Sequence, residues 1–202
     1  MKTIITTAAT SPTLMRKYIL ILLILGQAPI SFAQNLKDET GLKTLVKADI
    51  GLQGIGITFE PRLGKKMTMD LSAGAGGGYS VWEGGIEYEI NVFQPAFYFS
   101  ITPKFFYNRQ KRINAGKVSR LNAGNYIGLR IKYATPSVAP NDALRETLLI
   151  NLHWGLQRAI SNHWTLSAHA GAGYAQDIPS SFGTPYPALD VKFSYNFFVS
   201  KK

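Results

Sequence analysis

The chain has 202 residues, 46% of them hydrophobic and 17% charged, with no cysteine and a formal net charge of +10. That length allows one or two domains with a sizeable core. The lack of cysteine excludes a disulfide framework, a thiolate metal centre and a thiol nucleophile, and the excess of Lys and Arg points to an anionic partner.

Residues 1–33 read as a cleaved signal peptide. Arg16 and Lys17 precede an apolar run at 18–25, Pro29 breaks any helix, and Ser31-Phe32-Ala33 carries small residues at the two places signal peptidase reads. Met15-Arg16-Lys17 itself has the form of a signal-peptide opening. The apolar run is about half of the ~20 residues a bilayer-spanning helix needs, which argues against a transmembrane anchor. Losing Lys2, Arg16 and Lys17 with the leader lowers the charge from +10 to +7. Residues 34–42 form a short N-terminal segment, and 43–202 form the folded domain.

From there the sequence alternates with a period of two, in segments of about ten residues bounded by turn residues. The stretch 42–63 is twice a strand's length and splits at Gly51-Leu52-Gln53-Gly54 into strands at 43–50 and 54–63; Ile55, Ile57 and Phe59 share one face of the second. Met67, Met69, Leu71, Ala73, Ala75 and Tyr79 align next, then Phe97, Phe99, Ile101, Phe105 and Tyr107. Ile127, Leu129, Ile131 and Tyr133 follow, then Leu148, Ile150, Leu152, Trp154 and Leu156. Trp164, Leu166, Ala168, Ala170, Ala172 and Tyr174 make the seventh set, and Leu189, Val191, Phe193, Tyr195 and Phe197 the eighth. The fold class is therefore all-β: an antiparallel, eight-stranded, up-and-down transmembrane β-barrel after an N-terminal signal peptide. Leu166 and Ile150 are expected at the bilayer midplane.

A secreted antiparallel sandwich alternates in the same way. Two features favour the barrel: the leader, and aromatics near the strand ends (Phe59, Tyr79, Phe97, Tyr107, Tyr133, Trp154, Trp164, Tyr174, Tyr195, Phe197), where membrane barrels carry girdles. With both barrel ends of the chain in the periplasm, the tight turns at 63–66 and 159–163 fall there, and the longer connections at 80–93, 134–144 and 178–188 fall outside. The long basic connection at 109–122 departs from this rule, because the strand count places it on the periplasmic side.

Several pieces resemble the small outer-membrane β-barrel proteins common in the Bacteroidota. They are the leader, the turn Glu60-Pro61-Arg62-Leu63-Gly64-Lys65-Lys66, the run Pro103-Lys104-Phe105-Phe106-Tyr107-Asn108, and the closing strand. Phe193, Tyr195, Phe197 and Phe198 resemble the C-terminal signal read by the barrel-assembly machinery, although no glycine lies within the strand and Val199-Ser200-Lys201-Lys202 trails it. The resemblance implies Sec export to the cell outer membrane. Outer-membrane lipids, lipopolysaccharide and the assembly machinery are the expected partners; no nucleic acid is expected, and a monomer is the expected state.

The polar face is expected to fill the lumen, since eight strands enclose just enough room for side chains. Lys104, Arg130, Lys132 and Lys192 balance Glu60, Asp70 and Asp190 there as an ion-pair network, with a narrow anion pore as the competing reading. Inward glycines at 54, 56, 74, 76, 78, 128, 171 and 173 make room for the charged side chains. Ser167 and His169 share the lumen face with His153, which raises a second competing reading, a lipid-modifying barrel enzyme. No Gly-x-Ser-x-Gly elbow accompanies them, and the histidines show no recurring metal-ligand spacing. Rim residues Arg62, Lys65, Lys66, Arg109, Lys111, Arg112, Lys201 and Lys202 are placed to meet lipid phosphates. The loop at 81–93, with Trp82, Glu83, Glu87, Tyr88 and Glu89, is the expected recognition surface. The expected role is structural or in surface interaction, from a plug-free cylinder with no catalytic residues, cofactor or metal.

Overall fold

The computed structural model describes residues 41–82, 84–89, 95–137 and 144–200. The leader read at 1–33 lies outside the described residues, as do residues 34–40, Glu83, 90–94, 138–143, Lys201 and Lys202. Within them run β1 (Leu45–Gly51), β2 (Gly54–Glu60), β3 (Met67–Gly76), β4 (Gly78–Trp82), β5 (Gly85–Glu89), β6 (Ala96–Phe106), a short helix α1 (Arg109–Asn114), β7 (Gly124–Ser137), β8 (Thr147–Ala159), β9 (Trp164–Asp177) and β10 (Gly183–Val199).

Eight of the strands close into a barrel in the order β1-β10-β9-β8-β7-β6-β3-β2, every pairing antiparallel. Closure leaves no open sheet edge. The first hairpin forms where the glycine break lies: Gly51 pairs with Gly54 around a two-residue turn. Gly54 has φ +105°, and a Cβ there would lie 2.2 Å from the Ala75 carbonyl oxygen, so only glycine closes this turn. At the other end of β1 the register with β10 shifts between Val46 and Lys47, which pair with Phe198 and Asn196. The bulge leaves Phe197 over and turns both Phe197 and Phe198 outward, 56% and 50% exposed.

The alternation resolves into an apolar outside and a polar inside. Ile57, Phe99, Ile131, Leu152 and Leu189 stand exposed on the outer wall, while Lys47, Glu60, Lys104, Gln157 and Asn196 are buried within. This excludes the sandwich, whose core would be the apolar face. Along β8 the outward residues 148 to 156 span about 27 Å at ~3.4 Å per residue. A strand tilt of ~40° brings that to about 21 Å, near the ~25 Å apolar band of membrane barrels. Leu152 is the centre of this stretch. Leu166 pairs with Arg158, and Ile150 with the girdle residue Tyr174, so both lie toward the edges of the band and not at its middle.

One connection differs from expectation, and another keeps its expected side but not its expected form. The third outward segment stops at Gly76, and Gly76-Gly77-Gly78 turns the chain into the β4–β5 hairpin. Tyr79, expected in a girdle, lies inside the barrel mouth with Val81, against Ala134, Leu149 and Ala175 of the inner wall. The hairpin's apolar side packs on these small or apolar side chains, while the Tyr79 hydroxyl donates to Gln53 Oε1 at 2.8 Å. At the opposite end, the basic 109–122 connection is on the side the count requires. It folds under the barrel as α1 and a return segment whose Leu121, Asn122 and Ala123 are buried. The cylinder is therefore stopped at both ends, not plug-free.

The lower cap is held by side chains bonded to backbone. Arg109, expected at a lipid-facing rim, is 4% exposed and donates to the carbonyls of Gly41 at 2.7 Å and Ala123 at 3.2 Å. Asn122, with φ +56°, accepts from Lys43 N–H and donates to Lys43 C=O, both at 2.8 Å, as another strand would. Asn122→Ala removes both of these bonds and is expected to destabilise the barrel by about 1–3 kcal/mol, read as a lower urea midpoint of the folded form. An unchanged midpoint would mean the cap is not part of the cooperative unit.

Candidate functional site in the barrel lumen

The lumen is layered. Nearest the capped end, four strands contribute one charge each: Lys47 from β1, Glu60 from β2, Asp70 from β3 and Lys104 from β6. Lys47 Nζ lies 2.7 Å from Glu60 and 3.6 Å from Asp70; Lys104 Nζ lies 2.9 and 2.7 Å from the same two carboxylates. Thr68 Oγ1 donates to Glu60 at 2.9 Å. Gln157 joins this square to the cap: its Oε1 accepts from Lys104 at 3.1 Å, and its Nε2 donates to the Leu121 carbonyl at 2.9 Å. Below, Leu42, Phe106 and Tyr126 form an apolar seal. Lys104 sits 5.4 Å from the Tyr126 ring centroid, a cation–π distance.

One layer up, Lys192 bridges Asp49 at 3.0 Å and Asp70 at 3.8 Å, and the Thr58 hydroxyl donates to Asp49. Arg130 pairs with Asp190 at 3.2 Å. The seven charges expected in the lumen all point inward, and β1 adds Lys47 and Asp49. Both stood at alternate positions of Val46-Lys47-Ala48-Asp49-Ile50, a strand pattern like the others. Two buried ions are stable together only when each is paired and hydrogen-bonded. Lys132 is the exception: it is 3% exposed and donates to Gln53 Oε1 and, at 3.1 Å, to the Tyr79 hydroxyl. No carboxylate among the described residues lies within ion-pair distance of it.

The inward glycines serve rings more than charges. A Cβ at Gly74 would lie 2.6 Å from the Tyr98 hydroxyl, at Gly128 2.5 Å from His153 Nε2, and at Gly173 2.7 Å from the Tyr186 ring. These rings fill the barrel where long cations do not.

No family model and no curated relative matches the chain. Among solved structures it is similar to the outer membrane protein AlkL, determined by solid-state NMR in DMPC lipid bilayers. The identity is 10% and the TM-score 0.38, over 81% of this chain and 92% of that one.

His153 and His169 stack at 4.0 Å between ring centroids, and His153 Nδ1 bonds Asn151 Oδ1 at 2.7 Å. Ser167 shares their face, yet no hydrogen bond joins it to His169. His163 lies in the β8–β9 turn, against the outward Tyr195 ring at 5.8 Å, so the three histidines do not converge. Above them the mouth holds a cavity of about 240 Å³ lined by Tyr79, Tyr88, Tyr186, Arg130, Lys132 and Asn151. Tyr88 reaches over it from the hairpin, donating to the Leu52 carbonyl at 2.8 Å; burial pushes its hydroxyl pKa up to about 12, so it stays a donor at any physiological pH. Glu87 and Glu89, the described acids of the expected recognition loop, face solvent beside the exposed Trp82.

Proposed function

We propose that this protein is an integral β-barrel of the outer membrane with a structural or surface-interaction role and a lumen that does not conduct. The observation that carries the reading is inverted polarity. Every barrel wall is apolar outside, a surface far beyond the few hundred Å² a soluble monomer exposes, and the charges lie within. Closed strand pairing satisfies the backbone, as a bilayer demands. Aromatics near the strand ends support the same placement: Trp164 and Tyr195 are in ring contact at 5.3 Å, and Trp154 Nε1 donates to the Tyr107 hydroxyl at 2.7 Å.

The leader at 1–33 supports Sec export, and the outward row Phe193, Tyr195, Phe197 and Phe198 supports recognition by the assembly machinery. Exposed Arg62, Lys65, Lys66 and Lys111 at the capped end are placed for lipid phosphates. The ion-pair square, the aromatic seal and the cap together favour a closed lumen over a narrow pore. Cold and boiled samples of the membrane fraction should migrate differently on SDS gels, and the purified barrel should give no discrete conductance steps in planar bilayers. A single gel position would remove the membrane reading. Stepwise conductance with a normal gel shift would replace the closed barrel by the pore.

A further inference from the structure

The mouth cavity differs from the rest of the lumen in its charge balance. Below it, each cation meets at least one carboxylate. At its floor, Arg130 and Lys132 stand two residues apart on the inner face of β7, with Asp190 as the sole carboxylate paired there among the described residues. Asp190 engages Arg130 Nη1, and Arg130 Nε is buried without a partner. Lys132 has only neutral acceptors, and rests over the Tyr79 and Tyr98 rings at 4.9 and 4.6 Å. The floor therefore offers one positive charge in excess when Lys132 is protonated, the state an incoming anion favours. A buried, unpaired cation is costly, and an incoming anion would relieve that cost.

The walls narrow the choice of anion. Tyr79 and Tyr88 lie 5.0 Å apart with rings tilted at 43°, Tyr186 faces the same space, and Ile86, Pro187 and Ala188 add apolar surface beside the polar Gln53, Asn151 and His169. A strongly hydrated inorganic ion would recover only part of its lost hydration against such mostly aromatic walls. A volume of about 240 Å³ suits a single ring bearing one substituent, and lies below the ~300 Å³ at which drug-sized pockets begin. Deeper passage meets Asp190 and Asp49, which repel a second negative charge.

We infer that the mouth cavity is a capture site for a small organic carboxylate with a flat, apolar body, its carboxylate on Lys132 and Arg130 and its ring among the tyrosines. The site depends on the folded barrel, whose gel shift is scored separately, and not on whether the lumen conducts.

Benzoate titrated into the detergent-solubilised full barrel, followed by calorimetry, tests this. Saturable one-to-one binding is expected, with benzamide, the neutral analogue of the same shape, weaker by about tenfold or more, because it lacks the charge. Lys132→Met should weaken benzoate by a similar factor, about tenfold. Tyr88→Ala, which opens the wall without touching the barrel strands, should weaken benzoate and benzamide alike. That second variant keeps the test decisive if Lys132→Met fails to give the heat-modifiable band. No saturable benzoate binding would overturn the assignment. So would equal affinity for benzamide, benzoate binding unaltered in either folded variant, or inorganic phosphate competing at the same concentrations as benzoate.

Discussion

Glu60→Gln is expected to destabilise the folded barrel by about 3–5 kcal/mol, the usual cost of leaving a buried charge without its partner. The substitution keeps the volume and the Thr68 hydrogen bond but removes the carboxylate that both Lys47 and Lys104 use. The two lysines, each 1% exposed, would then share Asp70 alone. Urea unfolding in lipid vesicles reads the loss, together with a weakened heat-modifiable band. Pairing Glu60→Leu with Lys47→Met should cost less than the sum of the two single changes, since charge and countercharge leave together. A Glu60→Gln barrel within about 0.5 kcal/mol of the parent would show that water solvates these groups. That is the condition a conducting lumen needs, so this one stability measurement also bears on the pore.

Leu152→Arg should cost about 2–4 kcal/mol, the penalty for a cation at the middle of the lipid-facing band. Leu152 is 60% exposed, between Leu129 of β7 and Ala172 of β9. In a water-soluble barrel the same change would be nearly neutral, because exposed leucine gains nothing from water. The comparison between vesicle-folded Leu152→Arg and a loop control, Ser180→Arg, isolates the bilayer term. Equal stabilities would place Leu152 in water and undo the membrane assignment.

The barrel strands and their facing were legible because side chains in a strand repeat every two residues, so local sequence alone assigns each to one face or the other. Lys192 and Gln157 could be placed on the polar face from their own strands. Their partners could not be named: Lys192 meets Asp49 across 143 positions of sequence, and Gln157 meets Glu60 across 97. The same locality explains the two misplaced side chains. Tyr79 continues an outward row by parity, but the glycines at 76–78 break the parity and send the ring inward, a turn that no periodic pattern encodes. Arg109 looks like a solvated rim cation until the return segment brings carbonyls around it.

The sequence by itself determined the number of barrel strands, the first-hairpin break, the two chemically distinct faces and most of the charges on the polar one. Its leader and its aromatic strand ends favoured an apolar face turned to lipid, but the alternation is the same whether a sheet buries its apolar side in a sandwich or shows it to lipid. Only closure of β10 onto β1 decides that, and closure is a property of all eight strands at once. The caps, the seal around Phe106 and Tyr126, and the tyrosine-walled cavity over Lys132 are tertiary for the same reason: each is assembled from segments that become neighbours only when the barrel closes.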